Sequence, residues 1–245
     1  MRVQKETVEN RPLNDLLQRL SRKDFILLEP HLVIQNIGSH EILYNPGDVV
    51  DDVCFPCDRS LVSFVISMED GRKVQAALVG REGAVGGIVS RGSQPAHSLI
   101  VVKTAGPFAR IPVEAMERAR RKSSPLHNLL SRNADCLFAY AMQSIACNAV
   151  HSIEQRAAKW ISSTIERSIE DTISLTHEEL ASMLGVGRSY ASRVIQALKL
   201  AGTLETRRGA IVVRDRTALQ QKSCLCDVWI RKRFDEASRL QLKPL

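Results

Sequence analysis

Apolar residues change their spacing along the chain, and each change predicts a different kind of element. Over about the first 40 residues, "RPLNDLLQRLSRKDFILLEPHL" repeats Leu at three- and four-residue intervals up to Pro30, which predicts short helices. From His40 to Pro112 short β-branched and apolar runs alternate with turn signals. "NPGD" (residues 45–48) sets Pro and Gly where a type II turn needs them. "EDG" (residues 69–71) divides "SLVSFVISM" from "RKVQAALV" as a hairpin would. Gly80, Gly83, Gly86 and Gly87 then cluster ahead of "SLIVVKTAGPFARIP". Short strands joined by turns, with no helix between them, predict an antiparallel roll or barrel.

The helical period returns after Pro112, and Pro125 interrupts it. Residues 126–148 hold neither Pro nor Gly, enough for about six turns. Leu126, Leu130, Leu137, Ala141 and Ile145 recur along one stripe, beside Leu129, Phe138 and Tyr140. Such a helix can cover the roll or pair with its own copy across a two-fold axis. Pairing is the reading preferred, although polar Asn133 and Ser144 break a strict heptad. A domain boundary is expected at "NAVHS", separating residues 1–148 from 149–245. Beyond it, "IEQRAAKWISSTIERS" carries Ile153, Ala157, Trp160, Ile161 and Ile165 on one side.

Two glycines in "LGVGRSYASR" (residues 184–193) pose a choice between a phosphate-cradling loop and the turn of a DNA reader. Upstream, "LTHEELASML" has Thr176 three residues before Glu179, a capping box that starts a helix. Leu180, Ala181 and Leu184 form its inner face, and Gly185 ends it. A second helix follows with Ala191, Val194, Ile195 and Leu198 turned inward. Its outward face is Arg188, Ser189, Ser192, Arg193 and Gln196. Arg can pair with both acceptors of guanine and Gln with the N6 and N7 of adenine, while Ser reaches a base edge or a phosphate. A nucleotide loop would need a strand before it, and here a capped helix precedes it. The pattern is a helix-turn-helix. Downstream, "TLET" and "AIVV" form a hairpin around Arg207, Arg208 and Gly209, a wing placed to grip phosphates.

Charge agrees with this. The 245 residues carry a net +7, and 44% are hydrophobic, as in a globular protein with ample core. Residues 1–148 hold 18 Lys and Arg against 16 Asp and Glu; residues 149–245 hold 16 against 11. The excess therefore sits with the helix-turn-helix, where it suits a polyanion. A solvated basic face is the plainer alternative. No leader-like apolar run or membrane-spanning segment is seen, so a cytoplasmic location is expected. Cys54 and Cys57, and Cys224 and Cys226, form two close pairs with no histidine at ligand spacing. They read as unligated thiols, with no metal and no cofactor. Neither a Ser/His/Asp grouping nor paired carboxylates suggest an enzyme.

Several stretches resemble the Crp/Fnr family of bacterial transcription regulators: "LYNPGDVVDDVCFPCDRSLVSFV", "DGRKVQAALVGREGAVGG", "QRAAKWI", "LTHEELASMLGVGRSYASRVIQALKLAGTLETRRGAIVVRDRTAL" and "SCLC". The resemblance implies an α+β fold: an N-terminal antiparallel β-roll (a cyclic-nucleotide-binding-like jelly roll), a dimerisation helix at 126–148 and a C-terminal winged helix-turn-helix. It also implies a homodimer on a two-fold operator in double-stranded DNA, with RNA polymerase as a partner. Arg188, Ser189, Ser192 and Arg193 match the family's base-contacting places; Thr176, Gln196, Arg207 and Arg208 complete the candidate DNA contacts. Many members carry Glu where Ser189 stands, so a different half-site is expected.

The sensing half departs from the family's nucleotide cassette, in which a glycine turn leads to Glu and then Arg-Ser/Thr. Here Ile88 stands near the acidic place and Ala96-His97 near the Arg-Ser/Thr place. Arg81 or Arg91 would have to substitute. Met142 and Gln143 replace the Thr-Ser pair that meets adenine. Gly83, Gly86, Gly87, Arg91 and His97 are the candidate effector-binding residues, the effector being unknown and not cyclic AMP. The alternative is a redox- or metal-responsive regulator using Cys54/Cys57 or Cys224/Cys226.

Overall fold

A computed structural model of the chain describes residues 11–87, 94–167 and 171–239. It opens on a buried Asn14, whose side chain accepts from the N–H groups of Leu16 and Leu17 and so caps α1 (Asp15–Gln18). The same amide donates to the carbonyls of Pro56 and Gly83, tying the helix to the sheet beneath it. Ser21 caps α2 (Arg22–Phe25) in the same way.

Eight strands follow: β1 (Val33–Ile37), β2 (Ile42–Tyr44), β3 (Asp52–Pro56), β4 (Leu61–Ser67), β5 (Lys73–Val79), β6 (Val85–Gly86), β7 (Leu99–Thr104) and β8 (Gly106–Pro112). They form two four-stranded antiparallel sheets, in the orders β1-β8-β3-β6 and β2-β7-β4-β5. Both expected turns are present, with Asp48 N–H on the Asn45 carbonyl and Gly71 N–H on the Met68 carbonyl. Side chains alternate faces along each strand. Cys54 and Phe108 point between the sheets, with Tyr44, Val62, Val79, Ile100 and Val102. Val53, Phe55, Ala109 and Ile111 point outward and are covered by α1, α2, α3 (Val113–Lys122) and the start of α4 (Ser124–Val150).

Helix α4 has 27 residues, about 40 Å at 1.5 Å per residue. The helical stretch after Pro112 breaks at Ser123, between α3 and α4, so Pro125 stands just past the break and leaves α4 itself continuous. It lies in the first turn, where a missing N–H costs nothing, and Ser123 supplies the cap by accepting from Leu126 N–H. Leu126 and Leu130 are buried against the roll.

After His151, α5 (Ile153–Arg167), β9 (Thr172–Ser174), α6 (His177–Leu184), α7 (Arg188–Leu200), β10 (Leu204–Arg207), β11 (Ala210–Val213), α8 (Arg216–Lys222) and α9 (Cys226–Arg239) complete the chain. Strand β9 joins the hairpin in the order β10-β11-β9. Trp160, Ile161, Ile165, Leu180, Leu184, Val194, Ile195, Leu198 and Ile211 form the core of this half, and Leu61 and Leu78 of the roll extend it. Helix α9 lies along α4, with Ile230 and Phe234 against Cys136 and Tyr140. Burying each of these two side chains stabilises the contact by roughly 1.5–3 kcal/mol. Beside them the largely covered Arg167 side chain reaches Glu82 of the roll at 3.0 Å and Asp227 of α9 at 3.5 Å. No helix among the described residues is long and apolar enough to cross a membrane.

Candidate nucleic-acid interface

Thr176 and Glu179 complete the expected capping box. Thr176 Oγ1 accepts from Glu179 N–H at 3.1 Å, and Glu179 Oε2 accepts from Thr176 N–H at 2.8 Å. Lys103 of β7 donates to the same carboxylate at 3.1 Å. Burial alone would raise the Glu179 carboxyl, but the Thr176 and Lys103 donors outweigh it and hold it below its ordinary value. Gly185 closes α6 at φ +69°, where its N–H reaches the Ala181 and Ser182 carbonyls. A side chain there would carry the left-handed penalty of roughly 1–2 kcal/mol. Helix α6 also touches the roll: Ser182 Oγ donates to the Lys73 carbonyl, and Arg72 donates to the Gly185 carbonyl at 3.4 Å.

This turn sets the face that α7 offers. Ala191, Val194, Ile195 and Leu198 are buried, and Arg188, Ser189, Arg193 and Gln196 are exposed. Ser192 is half-buried, its Oγ 2.9 Å from His177 Nδ1, so α6 already engages it. Arg193 lies over the ring of Tyr190, a residue absent from the candidate contacts named from the sequence. Arg188 Nε stands 4.0 Å from Glu178, with both side chains largely exposed; such a pair holds little energy.

At the wing, Arg207 ends β10 and Arg208 follows it in the turn to β11. Both are exposed, and neither has an ion pair among the described residues. Arg214 and Arg216, by contrast, are paired with Glu205 and Asp171. The charge free to meet an anion is therefore narrower than the sequence count suggested. A cleft of about 380 Å³ lies between the start of α6 and the wing, with Arg188 of α7 at its side; Thr176, His177, Glu178, Thr206 and Arg207 are among its other lining residues.

A larger cavity, about 820 Å³, opens between the roll, α4 and α5. Phe64, Ile66, Val74, Ala77, Ile100, Leu137 and Ala141 give it an apolar lining. Gln75 Nε2, Ser98 Oγ and Ser144 Oγ are buried there without hydrogen-bond partners among the described residues. Of the candidate effector residues, Gly86 and His97 line it and Gly83 and Gly87 do not; Arg91 and Ile88 lie outside the described residues. Gly86 has a structural reason to be glycine, since at φ +100° a Cβ would collide with the Asp52 carbonyl. Gly83 gives its carbonyl to Asn14, and Gly87 N–H bonds the Asp52 carbonyl. Arg81 is held by Asp15 at 2.7 Å, so it is not the substitute for the missing arginine. Met142 and Gln143 also miss the cavity; one helical step turns Ala141, Ser144, Ile145 and Asn148 to it instead. Lys159 is the one cation among the described lining residues.

The two cysteine pairs have different fates. Cys54 packs between the sheets and Cys57 on the opposite side of that layer, so they share no ligand position. Desolvation pushes the Cys54 thiol up to about 12 and the Cys57 thiol up to about 11. Cys224 and Cys226 instead meet Cys147, and His151 joins them. The expectation that no histidine accompanies the pair is thus corrected: the end of α4 brings one across 75 residues of sequence.

Residues 155–222 match the family of Crp-like helix-turn-helix domains. The fold is shared with a chain assigned to the Crp/Fnr regulators from Eubacterium rectale (19% identity, TM-score 0.67, 84% of this chain and 96% of that one). It is shared with FixK2 from Bradyrhizobium japonicum (16%, 0.64, 79% and 98%). A third likeness is CLP of Xanthomonas campestris, a global regulator responsive to cyclic di-GMP (17%, 0.61, 80% and 100%). A search of curated proteins gave no match.

Proposed function

Because residues 155–222 are a Crp-like helix-turn-helix domain on the fold of the Crp/Fnr transcription regulators, we propose that this chain is a sequence-specific DNA-binding regulator. The observation that carries the reading is the exposed polar edge of α7, Arg188, Ser189, Arg193 and Gln196, held outward by a buried apolar face. Arg207 and Arg208 of the wing would grip the backbone while α7 enters the major groove.

The active species is a homodimer in this reading. Phe138, Met142 and Ile145 on α4 are 70%, 53% and 65% exposed, and their 4-3 spacing is that of a helix-pairing seam. Pairing α4 with its copy would cover them and set two copies of α7 about 34 Å apart, one turn of DNA. RNA polymerase is the protein partner that such a regulator addresses from the cytoplasm.

The apolar cavity supports an effector with an uncharged body rather than a cyclic nucleotide. A phosphate placed there would find no arginine among the described lining residues and one lysine, Lys159, whose ammonium already donates to Cys147 Sγ at 3.5 Å, and a poorly paired buried charge is costly. Titration calorimetry with cyclic AMP should give no heat of binding; a micromolar site would contradict this. For the function itself, the test is enrichment of bound duplexes from a random pool. It should return a two-fold symmetric site whose binding weakens with salt, and a pool that stays random would contradict it.

A further inference from the structure

We propose that Cys147, His151, Cys224 and Cys226 form a Cys₃His site for a single tetrahedral, thiophilic divalent cation of the zinc class. The four donor atoms all lie within 4.8 Å of one another. Cys147 and Cys224 sulfurs are 3.7 Å apart, and Cys226 Sγ is 3.6 Å from His151 Nδ1. A tetrahedron with Zn–S of about 2.3 Å and Zn–N of about 2.0 Å has edges of about 3.8 and 3.5 Å. Two of its edges are therefore already set, and the rest close by side-chain torsions.

The pattern of supply is that of a built site. Cys147 and His151 stand four residues apart on one side of the α4 end, where helical spacing aligns them. Cys224 and Cys226 bracket one residue at the start of α9. All three cysteines are buried and the histidine is half-buried, so the site has a closed and an open side.

A second observation points to the same charge. Lys159 is 5% exposed, yet no carboxylate pairs with it among the described residues. Its ammonium donates to Cys147 Sγ at 3.5 Å and lies over the Trp160 ring. A buried cation needs an anion. Three thiolates and a neutral imidazole around a divalent cation carry one net negative charge, which Lys159 would balance. Gln143 Nε2, donating to Cys226 Sγ at 3.3 Å, would steady a second sulfur.

The ligands come from both sides of the α4–α5 joint. A cation there would clamp the end of the pairing helix to the DNA-binding half. Thiol ligands must lose protons to bind it, so loading releases protons and fixes the joint together. The inference goes beyond the DNA-binding reading and stands without it, since its test uses no DNA.

The test is titration of the full chain, purified reduced and stripped by chelator, with Co²⁺ as the probe and Zn²⁺ as competitor. One Co²⁺ per chain should appear with thiolate charge-transfer and the intense visible bands of four-coordinate cobalt, and Zn²⁺ should displace it. Cys224→Ser with Cys226→Ser should abolish these bands, whereas Cys57→Ser should leave them intact. His151→Cys should retain four-coordinate cobalt with stronger charge-transfer, which guards against loss through misfolding alone. Lys159→Met should weaken binding about 10- to 100-fold. Weak six-coordinate spectra in the wild-type chain, or undiminished bands in the double serine variant, would overturn the proposal.

Discussion

The Arg193 guanidinium lies over the Tyr190 ring, 5.0 Å from its centroid, and the Tyr190 hydroxyl donates to Glu154 Oε1 at 3.1 Å. A chain of contacts thus runs from α5 to the exposed edge of α7. Stacking restricts the long arginine side chain before DNA arrives, which lowers the entropy lost when it bonds a base.

Arg193→Ala should therefore cost about 1–3 kcal/mol on a selected operator and relax base preference at one position in each half-site. Arg207→Ala should weaken all sequences alike and lower the salt slope by about 1. Fluorescence anisotropy across a salt series separates the two. If Arg193→Ala kept full affinity and selectivity, the reading face would lie elsewhere.

The seam on α4 makes a second prediction. Phe138→Asp with Ile145→Asp should leave helicity unchanged and shift sedimentation from dimer to monomer, because both side chains are exposed in the single chain. Operator affinity should fall in step. A dimer that survives both charges would place the two-fold contact on another surface.

Arg167 joins Glu82 and Asp227 in a buried cluster, and Ser163 Oγ donates to Asp227 at 2.9 Å. Arg167→Ala leaves the Glu82 carboxylate without its paired cation, while Asp227 keeps Arg231 at 2.9 Å; the change costs about 1–3 kcal/mol. Urea unfolding should show this as a lower midpoint. A midpoint within error of wild type would mean that the cluster adds nothing to holding α9 and the roll together.

Acid should loosen the α6 junction. The folded state holds the Glu179 carboxyl below its ordinary 4.5, through the Thr176 N–H and Lys103 and against burial. The stabilisation is then complete above 4.5 and is lost as pH falls through the lower folded value. Thermal unfolding followed through the acid range should fall less steeply in Glu179→Gln than in wild type. Parallel curves would remove Glu179 from the account.

Local signals carried far in this chain. Thr176, Glu179 and Gly185 mark helix ends through backbone hydrogen bonds within a few residues, so their roles can be read from spacing. The inward face of α7 follows from the 3.6-residue period. Periodicity does not say what an apolar side chain meets. Leu126 and Leu130 lie in the helical stripe as Ile145 does, yet the first two are spent on the roll while Ile145 is exposed. Strand β9 is three residues long and exists only because β11 pairs with it. The meeting of Cys147 with Cys224 joins residues 77 apart, and no local rule places α9 against α4. Arg193 was legible on the outward face of α7; its stacking on Tyr190, three residues earlier on the same helix, depends on side-chain torsions that spacing does not set.

Whether α7 reads bases is tested most directly by changing one of its side chains and asking the DNA. Ser189 is exposed at the start of α7, and its hydroxyl hydrogen-bonds nothing among the described residues. Glutamate there accepts from the N4 amino group of cytosine. Sites selected from random duplexes by Ser189→Glu should differ from wild-type sites at one position, gaining cytosine there symmetrically in both half-sites. An identical selected motif for the two proteins would contradict the account.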